Sequence, residues 1–360
     1  MNNNFSNIFS HFTKELLIIV LGVVIVMSLL ISFPDRVSAA ATSSSNPVVI
    51  CIDPGHGGTG DRNLGAQYNG ISEKEITLVT AAAMKAELEK YDNVKVYLTR
   101  NDDRYVSLQS RADYAKSVGA DFLFSIHYNA SADHLAYGSE IWVSAFGSYY
   151  QKGFSFAYNE MNELGVLGLY QRGIKTRIGN SGNDYYGIIR AATADNIPSC
   201  IIEHCYVDQA TDLSYIKNTQ NSYEALGKAD ATAVAKYFNL KSESLGKDYS
   251  AYQNITVSAP TTILYDDRTD PEVCTLKSAS YNASTRKLSL NITAQDSGSP
   301  TIYYSYSTDG GNTFSSLNIW DRTKTTDTVS VSLNSKPASV VVRAYNQYDF
   351  YKQSSVVNVK

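Results

Sequence analysis

Five histidines occur in the chain, and two of them stand where their chemistry could be used. His56 lies in Asp53-Pro54-Gly55-His56-Gly57-Gly58, directly after the apolar run Val48 to Ile52. Glycines let the backbone turn sharply there and leave the imidazole at the carboxyl end of a strand. His127 lies in Ser125-Ile126-His127-Tyr128-Asn129-Ala130, after a second such run. In open α/β sheets that edge is where ligands bind, so two imidazoles delivered to it can share a metal ion. Glu73, in Ser72-Glu73-Lys74-Glu75, opens a helical stretch whose N-terminus returns to the same edge. Two imidazoles and a carboxylate form a common zinc ligand set, with the fourth position left for water. Glu203 follows Cys200-Ile201-Ile202, ends at that edge too, and is not needed as a ligand, which suits a general base. Singly, each has a plainer reading: a polar loop histidine, a first-turn acid behind a Ser72 N-cap, a strand-end carboxylate in an ion pair. Their joint placement at one edge is what argues for a site. His134 reads as a surface residue.

The elements that must hold these residues follow from the apolar pattern. Val48 to Asp53, Val94 to Thr99, Phe122 to Ile126, Glu140 to Ser144, Ile188 to Ala192 and Cys200 to Ile202 read as strands, several apolar on both faces as central strands are. Between them, Lys74 to Tyr91 carries Leu78, Val79, Ala82, Ala83 and Leu88 at helical spacing, and Ser107 to Val118, Tyr150 to Leu164 and Tyr223 to Tyr237 also read as helices. The expected fold class is α/β, a sheet covered by helices on both sides over 47–240. Residues 241–260 are polar and Ser-rich and read as a linker. From 261 to 360 only alternating strand patterns occur: Cys274 to Tyr281, Lys287 to Thr293, Thr301 to Ser307, Thr328 to Leu333, Ser339 to Tyr345 and Ser354 to Val359. Asp309-Gly310-Gly311-Asn312 marks a hairpin turn among them, and an all-β sandwich is expected.

Length allows two or three domains in 360 residues, and 43% apolar with 18% charged residues excludes a disordered chain. A net charge of -4 lacks the basic field that nucleic-acid binding needs. The 27 tyrosines suit contact with sugars or peptides through ring faces and hydroxyls. Leu16 to Phe33 is uncharged and is followed by Val37-Ser38-Ala39-Ala40, so residues 1–40 read as a secretory signal cleaved near Ala39, or as a membrane anchor through 16–33. Either places the rest outside the cytoplasm. Four cysteines, Cys51, Cys200, Cys205 and Cys274, are too few to staple a chain of this size. Cys200 and Cys205, in one apparent strand, lie about 16 Å apart when extended and should not pair. If that strand runs on, Cys205 faces the side of Glu203 and His204 faces away.

The ordered motifs Asp53-Pro54-Gly55-His56-Gly57-Gly58, Glu73-Lys74-Glu75-Ile76-Thr77-Leu78, Thr99-Arg100 with Leu108 and Arg111, Ser125-Ile126-His127-Tyr128-Asn129-Ala130 and Pro198-Ser199-Cys200-Ile201-Ile202-Glu203 resemble those of the type 3 zinc-dependent N-acetylmuramoyl-L-alanine amidases. The resemblance spans about Val48 to Tyr237. It implies one zinc ion on His56, Glu73 and His127, catalysis by Glu203, and cleavage of the amide between N-acetylmuramic acid and the stem-peptide L-alanine of peptidoglycan. It also implies a three-layer fold, a mixed sheet between two helical layers, and a cleft lined by Asn129, Tyr128 and the Arg172-Gly173-Ile174-Lys175 segment. Three places depart from the family: Glu75 stands where the Glu-Lys-Asp motif has Asp, Tyr128 replaces a small residue, and His204-Cys205-Tyr206 replaces an apolar, small, Phe run. Arg100 and Arg111 are expected to tie helix to strand through carboxylates such as Asp102 or Asp103. A zinc peptidase acting within the stem peptide and a non-enzymatic wall-adhesion protein are the other readings. The β domain is left with cell-wall polymer or protein as its ligand.

Overall fold

The computed structural model describes residues 46–60 and 63–360. The signal or anchor expected over 1–40 lies outside the described residues. The first half is one six-stranded sheet in the order β4-β1-β5-β8-β6-β7, with β1 Val48–Pro54, β4 Val94–Leu98, β5 Phe122–Asn129, β6 Ser139–Val143, β7 Gln171–Lys175 and β8 Ser199–Tyr206. β2 Gln67–Tyr68 and β3 Ile71–Ser72 form a small hairpin beside it. Strands β4, β1, β5 and β8 run parallel, whereas β6 is antiparallel to β8 and parallel to β7.

Among the described residues, six helices flank the sheet: α1 Glu73–Leu88, α2 Leu108–Ser117, α3 Gly147–Val166, α4 Gly187–Ala194, α5 Ala210–Asn218 and α6 Ser222–Tyr237. Helix α1 buries Ile76, Thr77, Thr80, Ala81, Met84 and Leu88, a stripe at three- and four-residue spacing. With α3 and α6 it covers the sheet face made by Ile50, Ile52, Phe122, Phe124, Ile126 and Ile202. Cys51, Leu123, Ile201 and Trp142 point to the other face, packed with Ile188, Ile189 and Ala192 of α4. Alternate residues of each central strand thus enter two cores, which is why these strands read as apolar on both faces.

Two elements differ from the sequence reading. Ile188 to Ala192, expected as a strand, lies in helix α4. A short apolar run does not distinguish a strand from a buried helix, and only one side of this one meets the core. The strand position at the sheet edge belongs instead to Gln171–Lys175, whose polar sequence hid it: Arg172 and Lys175 are buried here because Glu140 on β6 pairs with both and Asp349 pairs with Arg172.

Residues 241–260 form the short hairpin β9 Lys241–Ser242 and β10 Lys247–Asp248, then an extended strap laid along α3. Gln151 and Asn159 of α3 hydrogen-bond the strap at Val257 and Asn254. Beyond it lie β11 Val273–Asn282, β12 Lys287–Gln295, β13 Thr301–Ser307, β14 Asn318–Ile319, β15 Thr326–Ser332, β16 Ser339–Asn346, β17 Tyr351–Gln353 and β18 Val357–Asn358. They form antiparallel sheets, β11-β12-β15 and β14-β13-β16-β17 with β18 on β16. Leu276, Leu288, Leu290 and Ile292 from the first sheet meet Tyr304, Val340, Val342 and Ala344 from the second in one apolar core with Trp320.

Candidate metal and catalytic site

His56 lies two residues beyond β1 in the left-handed region, at φ 62, a conformation uncommon for a non-glycine residue. Two buried arginines hold it there. Arg111 pairs with Asp53 at 2.6 Å and donates to the Pro54 and His56 carbonyls at 2.7 and 2.6 Å. Arg100 donates to Pro54, Gly55 and Lys74 carbonyls at 2.8, 2.6 and 2.9 Å, tying the histidine loop to the first turn of α1. Both arginines therefore brace backbone. The carboxylates expected as their partners are engaged elsewhere, Asp102 by Arg104 and Asp103 by Lys74.

Glu73 is the first residue of α1 and is buried. Its Oε1 lies 3.1 Å from His56 Nε2 and 3.0 Å from His127 Nδ1, and it accepts the Tyr128 N–H at 3.0 Å. Its Oε2 accepts the Ala66 N–H at 2.6 Å. The two imidazoles stand edge to face with centroids 4.9 Å apart. His56, Glu73 and His127 each offer a donor atom, all within 4.8 Å of one another. Space for this convergence comes from glycine: a Cβ on Gly55 would lie 2.4 Å from Cε1 of His127.

Electrostatics favour the ligating forms. Burial alone would raise the Glu73 pKa, but hydrogen bonds from His127 and His56 outweigh it and hold the carboxyl well below its ordinary range. Burial pushes the His127 pKa down, against the pull of Glu73, so the ring stays neutral. A donor set of two imidazoles and one ionised carboxylate, with no thiolate, fits a divalent ion such as zinc.

Glu203 sits on β8 in register with His127 on β5 and Glu140 on β6. Its Oε2 has no hydrogen-bond partner among the described residues. Burial, then the negative charges of Glu73 and Glu140, raise its pKa well above the usual carboxylate value. Glu140 is the opposite case. Burial opposes its ionisation, but Lys175 and Arg172 bring its pKa down to about 2.

The remaining expected residues divide. Asn129 is half-buried beside the site, its Nδ2 donating to Glu140 Oε1 at 3.0 Å. Tyr128 does not line a cleft: its side chain is buried on the opposite sheet face, with its hydroxyl 2.6 Å from the Thr80 hydroxyl and its ring stacked on His204. Arg172 is not at a cleft wall either. It is wholly buried, paired with Glu140 at 2.6 Å and with Asp349 of the β domain at 2.6 Å. His204 faces away from Glu203, its Nε2 2.9 Å from Asp230 Oδ1 and its Nδ1 3.1 Å from the His127 carbonyl. Cys205 departs from expectation. After Glu203 the register against β5 shifts, with Tyr206 pairing Asn129, and this bulge turns Cys205 into the core containing Tyr128 and Val207. All four cysteines are free and buried. His134 is exposed and its Nδ1 lies 2.7 Å from Asp208.

Sequence reasoning missed Glu140 and Asp53, both buried acids. An acidic residue inside the apolar run Ser139–Val143 is itself a signal, because a buried charge needs a partner.

Comparison with known proteins fits this geometry. Residues 50–236 match the family model described as N-acetylmuramoyl-L-alanine amidase. Among relatives, the N-acetylmuramoyl-L-alanine amidase CwlM of Bacillus licheniformis is 32% identical over 219 residues, 59% of this chain and 75% of that protein. The sporulation-specific N-acetylmuramoyl-L-alanine amidase of Bacillus subtilis (strain 168) is 33% identical over 200 residues, 55% of this chain and 71% of that protein. Among solved structures, Cwp6 from Clostridium difficile aligns with 54% of this chain and 30% of its own, at 29% identity and a TM-score of 0.49. The matched segment holds His56, Glu73, His127 and Glu203 together, and the chain belongs to the N-acetylmuramoyl-L-alanine amidase family.

Proposed function

We propose that this chain hydrolyses peptidoglycan at the amide joining the lactyl group of N-acetylmuramic acid to L-alanine, with one zinc ion on His56, Glu73 and His127 and with Glu203 as general base. The observation that carries this reading is the convergence of those three donors beside a fourth, unpartnered carboxylate on the neighbouring strand. The relatives named above as N-acetylmuramoyl-L-alanine amidases favour this bond over one within the stem peptide.

When bound, zinc supplies Lewis acidity, lowering the pKa of water in its open position toward about 7 and polarising a carbonyl. Glu203 Oε2, free of competing donors, takes the proton from the attacking water and returns it to the departing amine. Glu73 keeps its charge through its partners and so remains a ligand. Asn129, fixed by Glu140, offers an amide to the substrate at the same edge. A substrate in the wall places the enzyme outside the cytoplasm, in line with the export signal read over 1–40.

Replacing Glu203 with Gln tests the assignment. Zinc per chain should stay at the wild-type value while release of stem peptide from purified wall falls about 10²- to 10⁴-fold. Unchanged release, with mass spectrometry showing the same products, would remove Glu203 from the mechanism.

A further inference from the structure

The geometry points to Asp349, on the C-terminal β domain, as a positioning residue of the catalytic site; the inference rests on the amidase reading of that site. Asp349 stands in the turn between β16 and β17 with φ 69, and both its carboxylate oxygens accept from Arg172 Nη2, at 2.8 and 2.6 Å. Arg172 in turn donates through Nε to Glu140 Oε2 at 2.6 Å. Its guanidinium stacks between Tyr206 of β8, at 5.2 Å, and Tyr303 of the β domain, at 5.6 Å. Glu140 uses its other oxygen for Asn129 and stands in register with Glu203. An unbroken chain of contacts thus runs from the β domain through Arg172 and Glu140 to the residues around the reacting bond.

Charge explains what Asp349 does in that chain. Arg172 and Lys175 are two buried cations, and Glu140 is the one buried carboxylate that both contact, each at 2.6 Å. Asp349 supplies the second negative charge and fixes one arm of the guanidinium, whose Nη1 has no partner among the described residues. Without it, Arg172 is left with a single shared acceptor, and its unsatisfied donors draw on Glu140. The Glu140 carboxylate then loses the orientation that holds Asn129, and the strand ends carrying Asn129 and Glu203 lose a fixed neighbour.

The test uses the full chain with zinc bound. Asp349 is 49% exposed at its side chain, and asparagine also tolerates positive φ, so Asp349→Asn keeps the fold. Arg322→Ala serves as control: it removes another contact across the same junction, to the Gln171 carbonyl, without touching Arg172. Asp349→Asn should lower kcat on purified wall fragments about tenfold, with KM and zinc per chain unchanged, while Arg322→Ala keeps wild-type kcat. The proposal is overturned if Asp349→Asn keeps its kcat, if its loss falls on KM or zinc content, or if Arg322→Ala loses as much. A wild-type chain that releases no stem peptide overturns the amidase reading and this inference with it; an active wild type with an unimpaired Asp349→Asn overturns the inference alone.

Discussion

Gly55 decides whether His127 can occupy its place, since the nearest three atoms to a Cβ built there all belong to the His127 ring, at 2.4 to 2.7 Å. Gly55→Ala must therefore displace the imidazole. It should lower zinc affinity at least tenfold in a competition assay with a chelator while circular dichroism stays unchanged; equal affinity would show that the ring has another place to go. The chemistry of this site was legible at residue scale, because histidines and acids at strand ends are few and their roles follow from their donors. What could not be read was burial. Tyr128 and Arg172 look like cleft residues by type and by neighbouring sequence, yet one fills the opposite core and the other balances Glu140. Nothing in a linear pattern shows that Arg172 has a carboxylate waiting on each side.

The bulge in β8 shows how an element can override its own alternation. A regular strand would put Cys205 with Glu203, whereas the inserted residue sends the thiol into the core, where burial raises its pKa well above the usual thiol value. Native protein should thus react negligibly with iodoacetamide at Cys205 at pH 8, and Cys205→Ala should keep one zinc per chain. Rapid labelling would place the thiol back at the cleft. Strand β7 makes the complementary point: its charges are buried because β6 brings Glu140, and the turn after β16 brings Asp349, against them, pairings set by topology rather than by local sequence. Glu140 has a folded pKa depressed to about 2 from an ordinary value near 4.5, so its stabilisation is present above the ordinary pKa and is lost as pH falls toward 2. At about 1.4 kcal/mol per pKa unit the contribution is about 3 kcal/mol. Urea midpoints of wild type and Glu140→Gln should be far apart at pH 7 and approach each other as pH drops from 5 to 2. A gap that stays constant would show that Glu140 does not carry this dependence.

At the scale of the whole molecule, the C-terminal β region packs over the β7 edge of the catalytic sheet. Tyr303, Ile302 and Leu317 pack with Tyr137 and Tyr170 in one apolar cluster, and Tyr348 exchanges hydrogen bonds with Thr176 beyond β7. An uncovered edge strand is a site for unwanted pairing, and here the C-terminal β region lies against it. A chain ending at 240 should be less soluble, melt several degrees lower and hydrolyse wall more slowly than the full chain, whereas an independent binding module would leave intrinsic turnover on soluble fragments unaffected. The sequence showed two regions of different periodicity, but polar Ser-rich residues after 240 look the same whether they hang free or lie hydrogen-bonded along α3.

X-ray absorption at the zinc edge of the purified full chain tests the metal assignment most directly. Two imidazole nitrogens and carboxylate or water oxygens at about 2.0 to 2.2 Å, with no sulfur, are predicted from His56, Glu73 and His127. A sulfur shell near about 2.3 Å, or a protein that binds no zinc at all, would contradict it.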